Sequence, residues 1–214
     1  DEAVFIRSMA TRGSLGGLSK KAIDAADVLD AAGYDFILLE TVGVGQSELD
    51  IVQAADTTVV VLVPESGDSV QAMKAGLMEI ADFFVLNKSD RPGSEQAVTS
   101  LQTILMMKDH DENSWMPGII KTVASENKGL TEVVSEIERH KKFMNEKNLF
   151  LIKRERQARN RIKEIVESKI REELWSESGE KSLNSTLEKV ILGNFSPYNI
   201  AEEIINNFIT KKIT

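Results

Sequence analysis

The sequence predicts an α/β domain, with a mostly parallel sheet flanked by helices, followed by an all-α arm at the carboxyl end. Three observations lead to this fold class. Short apolar runs alternate with amphipathic stretches up to residue 138, apolar residues then recur at helical spacing, and the formal charge changes sign between the two parts. Alternating strand and helix patterns are typical of a parallel sheet with right-handed crossovers.

Five apolar runs of three to six residues predict the strands. They are rich in Val, Ile and Phe, which is typical of strands buried on both faces. The runs are Val4–Ile6, Phe36–Leu39, Thr58–Val63, Phe83–Leu86 and Ile119–Val123. Ligand sites of parallel sheets lie beyond the carboxyl ends of the strands, so the residues after each run are the candidates for chemistry.

Amphipathic stretches between these runs predict the helices of the domain. They cover residues 19–32, 48–54, 69–80, 94–107 and 130–138.

The arm begins with a long predicted helix. No Pro or Gly occurs from Glu146 to Glu177, and at about 1.5 Å per residue such a helix is about 45 Å long. Its apolar stripe consists of Ala158, Ile162, Ile165, Val166, Ile170 and Leu174. Ser182 is expected to cap a shorter helix that ends near Gly193, and Ser196-Pro197 to open a last one. These helices either fold over the first domain or pair with another chain, and pairing is the favoured reading.

Charge is distributed unevenly along the chain. Residues 1–138 hold 10 Lys and Arg against 23 Asp and Glu, whereas residues 139–175 hold 12 against 6. The change near Arg139 suggests a domain boundary, and we expect domains at 1–142 and 143–214. The acidic first part argues against nucleic acid as its partner. We interpret the basic segment, residues 139–175, as a solvated helix face.

Composition excludes several classes of site. The chain has no cysteine, so disulfides, thiolate zinc sites and cysteine nucleophiles are excluded. No apolar run approaches the roughly 20 residues that span a bilayer, so no membrane association is expected. The chain begins with Asp1 and no signal region follows, so we expect a cytoplasmic protein whose sequence starts within a longer one.

Glu40 follows the second apolar run and precedes a glycine-containing loop, Thr41-Val42-Gly43-Val44-Gly45-Gln46. A carboxylate at a strand end can reach a magnesium ion directly or through water. Gly43 allows a backbone N–H to approach a phosphate without side-chain interference. A magnesium–phosphate site is one reading, and a strand-end Glu that caps the next helix is the other.

Asn87-Lys88-Ser89-Asp90 follows the fourth apolar run. This Asn-Lys-x-Asp pattern is the guanine signature of GTPases. Guanine presents N1–H and an exocyclic amine, both of which Asp90 could accept, whereas adenine presents an acceptor at N1 and would leave the carboxylate unpaired. Lys88 would cover the base and Asn87 would link neighbouring loops. The alternative is a polar turn before the next helix.

Ser125 lies in the loop after the last apolar run, within Ala124-Ser125-Glu126-Asn127. In guanine sites, the corresponding loop directs a backbone N–H at O6 of the base. Without the preceding motif, residues 125–128 read equally well as a simple turn before Gly129.

Together, these segments resemble the MeaB/ArgK/MMAA family of P-loop GTPases, which are chaperones of cobalamin-dependent acyl-CoA mutases. The resemblance covers about residues 1–145. It rests on Phe5-Ile6-Arg7-Ser8, Gly13-Ser14-Leu15-Gly16-Gly17, Ala32-Gly33-Tyr34-Asp35, the segment from Glu40 to Glu48, and Asn87-Lys88-Ser89-Asp90. Beyond residue 145 the likeness is one of architecture, since the family ends in a helical dimerisation arm.

The resemblance implies GTP or GDP and Mg²⁺ as ligands and a role for each matched residue. Glu40 would help to hold magnesium, and Gly43, Gly45 and Gln46 would form the phosphate-sensing switch. Guanine would be held by Asn87, Lys88, Asp90 and Ser125. A further loop that reports the nucleotide state to the mutase would include Glu65, Gly67, Asp68, Gln71 and Lys74. From the residues alone, that loop reads equally well as an ordinary connection.

One element of the family pattern is missing. A P-loop requires Gly-Lys-Ser/Thr, and none of the 13 glycines is followed by Lys. We therefore expect an incomplete P-loop GTPase domain whose P-loop lies upstream of this chain. We also expect the 214 residues alone to be inactive and the loss of the P-loop strand to expose an edge of the sheet.

The resemblance implies methylmalonyl-CoA mutase as the mutase partner and a homodimer formed through the C-terminal helices. Two other functions stay open: an ATPase or kinase linked to lysine/arginine/ornithine transport, and a non-catalytic dimerisation module. His110 and His140 have no carboxylate or second His at the spacing of a metal site, so we do not expect them to bind a metal. We expect both to lie on the surface. Trp115 and Trp175 are expected to serve in packing.

Overall fold

The computed structural model describes residues 4–9, 20–41, 48–64, 77–107, 111 and 114–213. The chain forms two compact units, over residues 1–154 and 155–214, which are described separately below.

The first unit contains a three-stranded parallel sheet. Its strands are β1 (Val59–Leu62), β2 (Phe83–Leu86) and β3 (Ile119–Lys121), in the order β1-β2-β3. Phe84 pairs with Val60 on one side and with Ile119 on the other. The parallel sheet predicted from the continuous apolar runs is thus confirmed for these three strands.

Five helices of the described residues accompany this sheet. They are α1 (Lys20–Ala31), α2 (Glu48–Ala54), α3 (Leu77–Ile80), α4 (Ser94–Met106) and α5 (Leu130–Glu146). All four residues of β2 are buried, and Phe84 and Leu86 share one apolar core with Leu101 and Leu105 of α4. A central strand covered on both faces needs apolar residues at every position, which explains the unbroken run in β2.

The strand predictions for Val4–Ile6 and Phe36–Leu39 are wrong, because neither run is a strand in the structure. Both segments have no regular secondary structure and expose apolar side chains, with Ile6 87% and Leu38 86% exposed. A strand requires a hydrogen-bonded neighbour, and within the described residues β1 pairs only with β2. An apolar run therefore supplies the propensity for a strand but not its partner.

The sixth helix, α6 (Leu149–Leu174), continues from the first unit into the second, which also holds α7 (Glu177–Ile191) and α8 (Pro197–Ile213). Asn148 has a φ of 56° at the turn between α5 and α6. The long predicted helix is therefore present but begins after this turn. None of the described helices combines the length and apolarity needed to cross a bilayer.

The start of α7 corrects the prediction for Ser182. Ser176 is the N-cap of this helix, so Ser182 lies inside it. Gly179 permits the early start, because a Cβ at that position would overlap the carbonyl group of Leu174. The predicted start of the last helix is confirmed, because α8 begins at Pro197. Ser196, the residue before it, accepts a hydrogen bond at its Oγ from the Asn199 N–H at 3.2 Å.

Candidate nucleotide site

The structure brings the Asn-Lys-x-Asp segment and the Ser125 loop to one edge of the sheet. The Asn87 N–H donates to Leu62 O at 2.8 Å and the Ser89 N–H to Thr122 O at 3.0 Å. These bonds continue the ladder beyond the strand ends. The two predicted guanine-binding segments therefore lie side by side at the carboxyl end of the sheet, where such folds place their ligands.

The Asn87 side chain links these two segments. Its Oδ1 accepts a hydrogen bond from Thr122 Oγ1 at 3.1 Å and another from the Ala124 N–H at 3.1 Å. One half-buried amide oxygen thus joins the end of β2 to the start of the neighbouring loop. This is the loop-linking position expected for Asn87; its role toward a nucleotide stays a prediction.

Lys88 and Asp90 lie in a tight turn after Asn87. Lys88 has a φ of 56°, and its carbonyl accepts the Arg91 N–H at 3.1 Å. A left-handed backbone costs a residue with a Cβ about 1 kcal/mol or more and is common at binding sites. Both Lys88 and Asp90 are exposed, so their charged groups are accessible to a ligand.

Ser125 is exposed in a closed loop built on a 3-10 turn, Ala124–Glu126. The Val123 N–H donates to Lys128 O at 3.1 Å, and the Lys128 N–H donates to Val123 O at 3.2 Å. Gly129 completes the loop with a φ of 80°, and a Cβ there would overlap the Lys121 carbonyl group. The backbone that carries Ser125 is therefore held at both ends.

Lys128 places a cation beside this loop. Its Nζ lies 2.6 Å from Glu126 Oε2. The hydrogen bond and charge of Glu126 raise the pKa of Lys128, and Asp90 adds to the effect. Lys128 thus remains an ammonium group in the field of two carboxylates, one of which is the candidate base-reading group.

The candidate magnesium ligand Glu40 is exposed in a segment without regular secondary structure. Within the described residues, no group of three His, Cys, Asp or Glu side chains could hold a metal ion. Magnesium in nucleotide sites is held by one or two carboxylates together with phosphates and water. A single accessible carboxylate therefore fits that role chemically.

Two sets of predicted site residues lie outside the described part of the chain. They are the switch residues Gly43, Gly45 and Gln46, and the partner-signalling residues Glu65, Gly67, Asp68, Gln71 and Lys74.

The prediction that His140 lies on the surface is wrong, since its side chain is only 2% exposed. Its Nδ1 shares a hydrogen bond of 2.9 Å with Thr57 Oγ1. A sequence signal for this burial exists: Glu136, His140 and Met144 recur every fourth residue and form the buried face of α5. Trp115 packs on His140 and Phe143, as the packing reading expected.

Comparisons with known proteins identify the family of this chain. The family described as methylmalonyl Co-A mutase-associated GTPase MeaB matches residues 1–179. A Pyrococcus abyssi protein, named as a candidate GTPase, is 43% identical over 211 residues, covering 98% of this chain and 65% of its own length. The mouse mitochondrial methylmalonic aciduria type A homolog is 29% identical over 213 residues, covering 97% of this chain and 51% of its own length.

A solved structure shows the same fold. The crystal structure of an LAO/AO transport system kinase superposes with a TM-score of 0.65 and 26% identity, covering 89% of this chain and 62% of that one. The chain thus spans about two thirds or less of each of these proteins. Because the family match covers most of the chain and agrees with the motifs at the strand ends, the chain belongs to the MeaB/ArgK/MMAA family of methylmalonyl-CoA mutase-associated GTPases.

Proposed function

We propose that this chain supplies the guanine-recognition half of a GTPase. The observation that carries the proposal is the pair of hydrogen bonds from Thr122 Oγ1 and the Ala124 N–H to Asn87 Oδ1. They hold the Asn-Lys-x-Asp turn beside the Ser125 loop, so that two surfaces can contact one base.

Each residue has a distinct task in this proposal. Asp90 accepts N1–H and the exocyclic amine of guanine, and this pairing rejects adenine because adenine has an acceptor at N1. Lys88 lays its aliphatic chain over the base while its ammonium group stays in solvent. The backbone at Ser125 donates to O6, and Asn87 keeps these groups in register.

Phosphate binding requires residues beyond those that form the base site. No Gly-Lys pair occurs among the 214 residues, so contacts of the P-loop type have to come from elsewhere in the intact protein. In this proposal Gly43, Gly45 and Gln46 form the switch next to the γ-phosphate, and Glu40 holds magnesium. When bound, magnesium neutralises charge on the phosphates. The chain alone is therefore expected to recognise guanine weakly and to release no phosphate from GTP.

A nucleoside titration tests the base site directly in this chain. Guanosine is expected to shift the backbone NMR signals of residues 87–90 and 124–128, inosine to shift them less because it lacks the exocyclic amine, and adenosine to leave them unchanged. Inosine and adenosine thus serve as matched ligands that remove one feature at a time.

Two results would contradict the guanine assignment. Equal shifts with adenosine would favour the alternative, an ATPase or kinase linked to lysine/arginine/ornithine transport. The structural similarity to an LAO/AO transport system kinase supports testing this alternative. No base-dependent shift at these loops would leave only the non-catalytic dimerisation module.

The proposed output of nucleotide binding is conformational. The family description names association with methylmalonyl-CoA mutase, and we propose that GTP binding and hydrolysis gate cofactor loading and protection of a cobalamin-dependent acyl-CoA mutase. The loop that includes Glu65, Gly67, Asp68, Gln71 and Lys74 is the proposed signal to that partner.

We also propose that the second unit forms a homodimer. The stripe on α6 is exposed in the single chain: Ile162 is 62% exposed, and Val166 and Ile170 are each 48% exposed. An apolar helix face of this kind gains free energy when it is covered, at about 25 cal/mol per Å². A second copy of the same helix provides a matching apolar surface.

Replacing Ile162 and Val166 together by Glu is expected to convert dimer to monomer, because two charges would be buried without partners. Light scattering measures the mass directly. Glu164→Lys changes charge on the side of the same helix opposite Ile162 and Val166 and should leave the dimer intact. A double variant that stays dimeric would place the interface elsewhere.

A further inference from the structure

A buried polar cluster lies at the amino-terminal end of β1 and β2, opposite the candidate nucleotide site. Thr57 and Thr58 come just before β1, Asp82 comes just before β2, and His140 reaches them from α5. His140 is 2% exposed and Thr58 is 5% exposed. Buried polar side chains require partners, and His140 finds its two partners, Thr57 and Asp82, in two other segments of the chain.

His140 uses both of its ring nitrogens in this cluster. Nδ1 lies 2.9 Å from Thr57 Oγ1, and Nε2 lies 3.4 Å from Asp82 Oδ1. In the neutral tautomer with hydrogen on Nε2, the ring donates to Asp82 and accepts from the Thr57 hydroxyl group. Trp115 closes the cluster, with its ring centroid 4.8 Å from that of His140 and its Nε1–H donating to Asp82 O at 2.5 Å.

Asp82 is shared between His140 and the first turns of α6. Its Oδ2 accepts the Thr58 N–H at 2.7 Å and lies 3.7 Å from Lys153 Nζ. Lys153 also donates to Asp56 O at 2.7 Å, and Arg154 binds the Asp56 carboxylate with both Nε and Nη2. Lys153 and Arg154, here called the root of α6, are thereby tied to the sheet end.

We propose that His140 is a proton-sensitive anchor for the root of α6. While the imidazole is neutral, the charge of Asp82 is available to Lys153. When His140 takes up a proton, the imidazolium and the Lys153 ammonium compete for one carboxylate in a buried place, and the root of α6 loosens. The proposal does not depend on nucleotide binding.

The charges around His140 determine the pH at which this change occurs. Asp82 and, on α5 itself, Glu136 favour the protonated ring, whereas Lys153 from α6 and Arg139 from α5 oppose it. Burial is the largest influence, and it lowers the pKa of His140 below its ordinary value of 6.5. The stability contributed by neutral His140 is therefore complete above pH 6.5 and lost as the pH falls toward the lower pKa of the folded state.

Trp115 provides a direct readout, because an imidazolium in contact with an indole quenches its emission. In a chain carrying Trp175→Phe, so that Trp115 is the only indole, we expect the emission to fall with a midpoint below pH 6.5. The backbone NMR signals of Lys153 and Arg154 are expected to move with the same midpoint. His140→Gln, which cannot titrate, should abolish both transitions.

Two matched variants distinguish competition between His140 and Lys153 for Asp82 from a general loosening of the contacts at the root of α6. Lys153→Met removes the competing charge and should shift the midpoint to higher pH. Arg154→Met removes the neighbouring cation, which binds Asp56 instead, and should leave the midpoint in place. Far-ultraviolet circular dichroism over the same range should show that the helices persist.

Three results would contradict the proposal that His140 is a proton-sensitive anchor. The first is a transition that survives in His140→Gln, and the second is a midpoint that Lys153→Met leaves unchanged. The third is cooperative loss of the helical signal at the same pH, which would indicate global unfolding in place of a local release.

Discussion

Replacing Asp90 with Asn is expected to change the base preference of the candidate site from guanine to xanthine. The Asp90 carboxylate is proposed to accept two hydrogen bonds from guanine, and bonds to charged groups contribute about 1.5–3 kcal/mol each. An Asn amide can accept only one and would direct its NH₂ group at the exocyclic amine. Xanthine carries an oxygen at that position, so the Asn side chain matches it.

The expected loss of guanosine affinity is about 10- to 150-fold, because one of the two bonds, worth about 1.5–3 kcal/mol, is lost. Titration of guanosine and xanthosine, followed by NMR signals of residues 87–90, measures both preferences in the same chain. Asp35→Asn alters another exposed carboxylate outside the site and should change neither. If Asp90→Asn kept its preference for guanosine, Asp90 would not be the base-reading group.

Asn87→Ala is expected to have the second large effect, on stability and on base binding together. The substitution leaves the buried Thr122 hydroxyl and the Ala124 N–H without their shared acceptor. Loss of two such bonds lowers the free energy of unfolding by about 2 kcal/mol. The Ser125 loop would also lose its connection to the Asn-Lys-x-Asp turn, so guanosine binding should weaken.

Urea unfolding, followed by circular dichroism, measures the stability part of this prediction. Asn87→Asp retains an acceptor at the same position and should recover much of the stability. Asn184→Ala removes an exposed amide within α7 and serves as the matched control. An Asn87→Ala chain as stable as the Asn184→Ala chain would show that the two loops are held together by other contacts.

The anchor at His140 and the base site at Asp90 occupy opposite ends of the same strands, so variants at the two sites should act independently on stability. His140→Gln is therefore expected to leave guanosine selectivity unchanged, and Asp90→Asn to leave the Trp115 transition unchanged.

Strong local patterns made part of the fold predictable. The unbroken apolar run of β2 determined a central strand, and the polar residues directly after it had to lie at the carboxyl edge of the sheet. Ser196-Pro197 marked the start of α8, because Pro is favoured in the first turn, where its missing N–H costs nothing.

Other features depended on partners distant in the sequence. Phe36–Leu39 has the composition of a strand, yet no described strand pairs with it. Ser182 has the chemistry of a cap, but the close approach at Gly179 lets α7 start earlier. His140 lacks a metal-ligand pattern, and only the packing of α5 against the ends of β1 and β2 makes it a buried group shared with Thr57 and Asp82.

The sequence by itself determined the family of this protein, the parallel arrangement of its sheet and the candidates for guanine binding, because periodicity and short motifs are local properties of the chain. Only the tertiary structure decided which apolar runs became strands, which loops meet at Asn87, and which charges surround His140. Those outcomes depend on contacts between residues far apart in sequence, and such contacts form only when separate elements pack together.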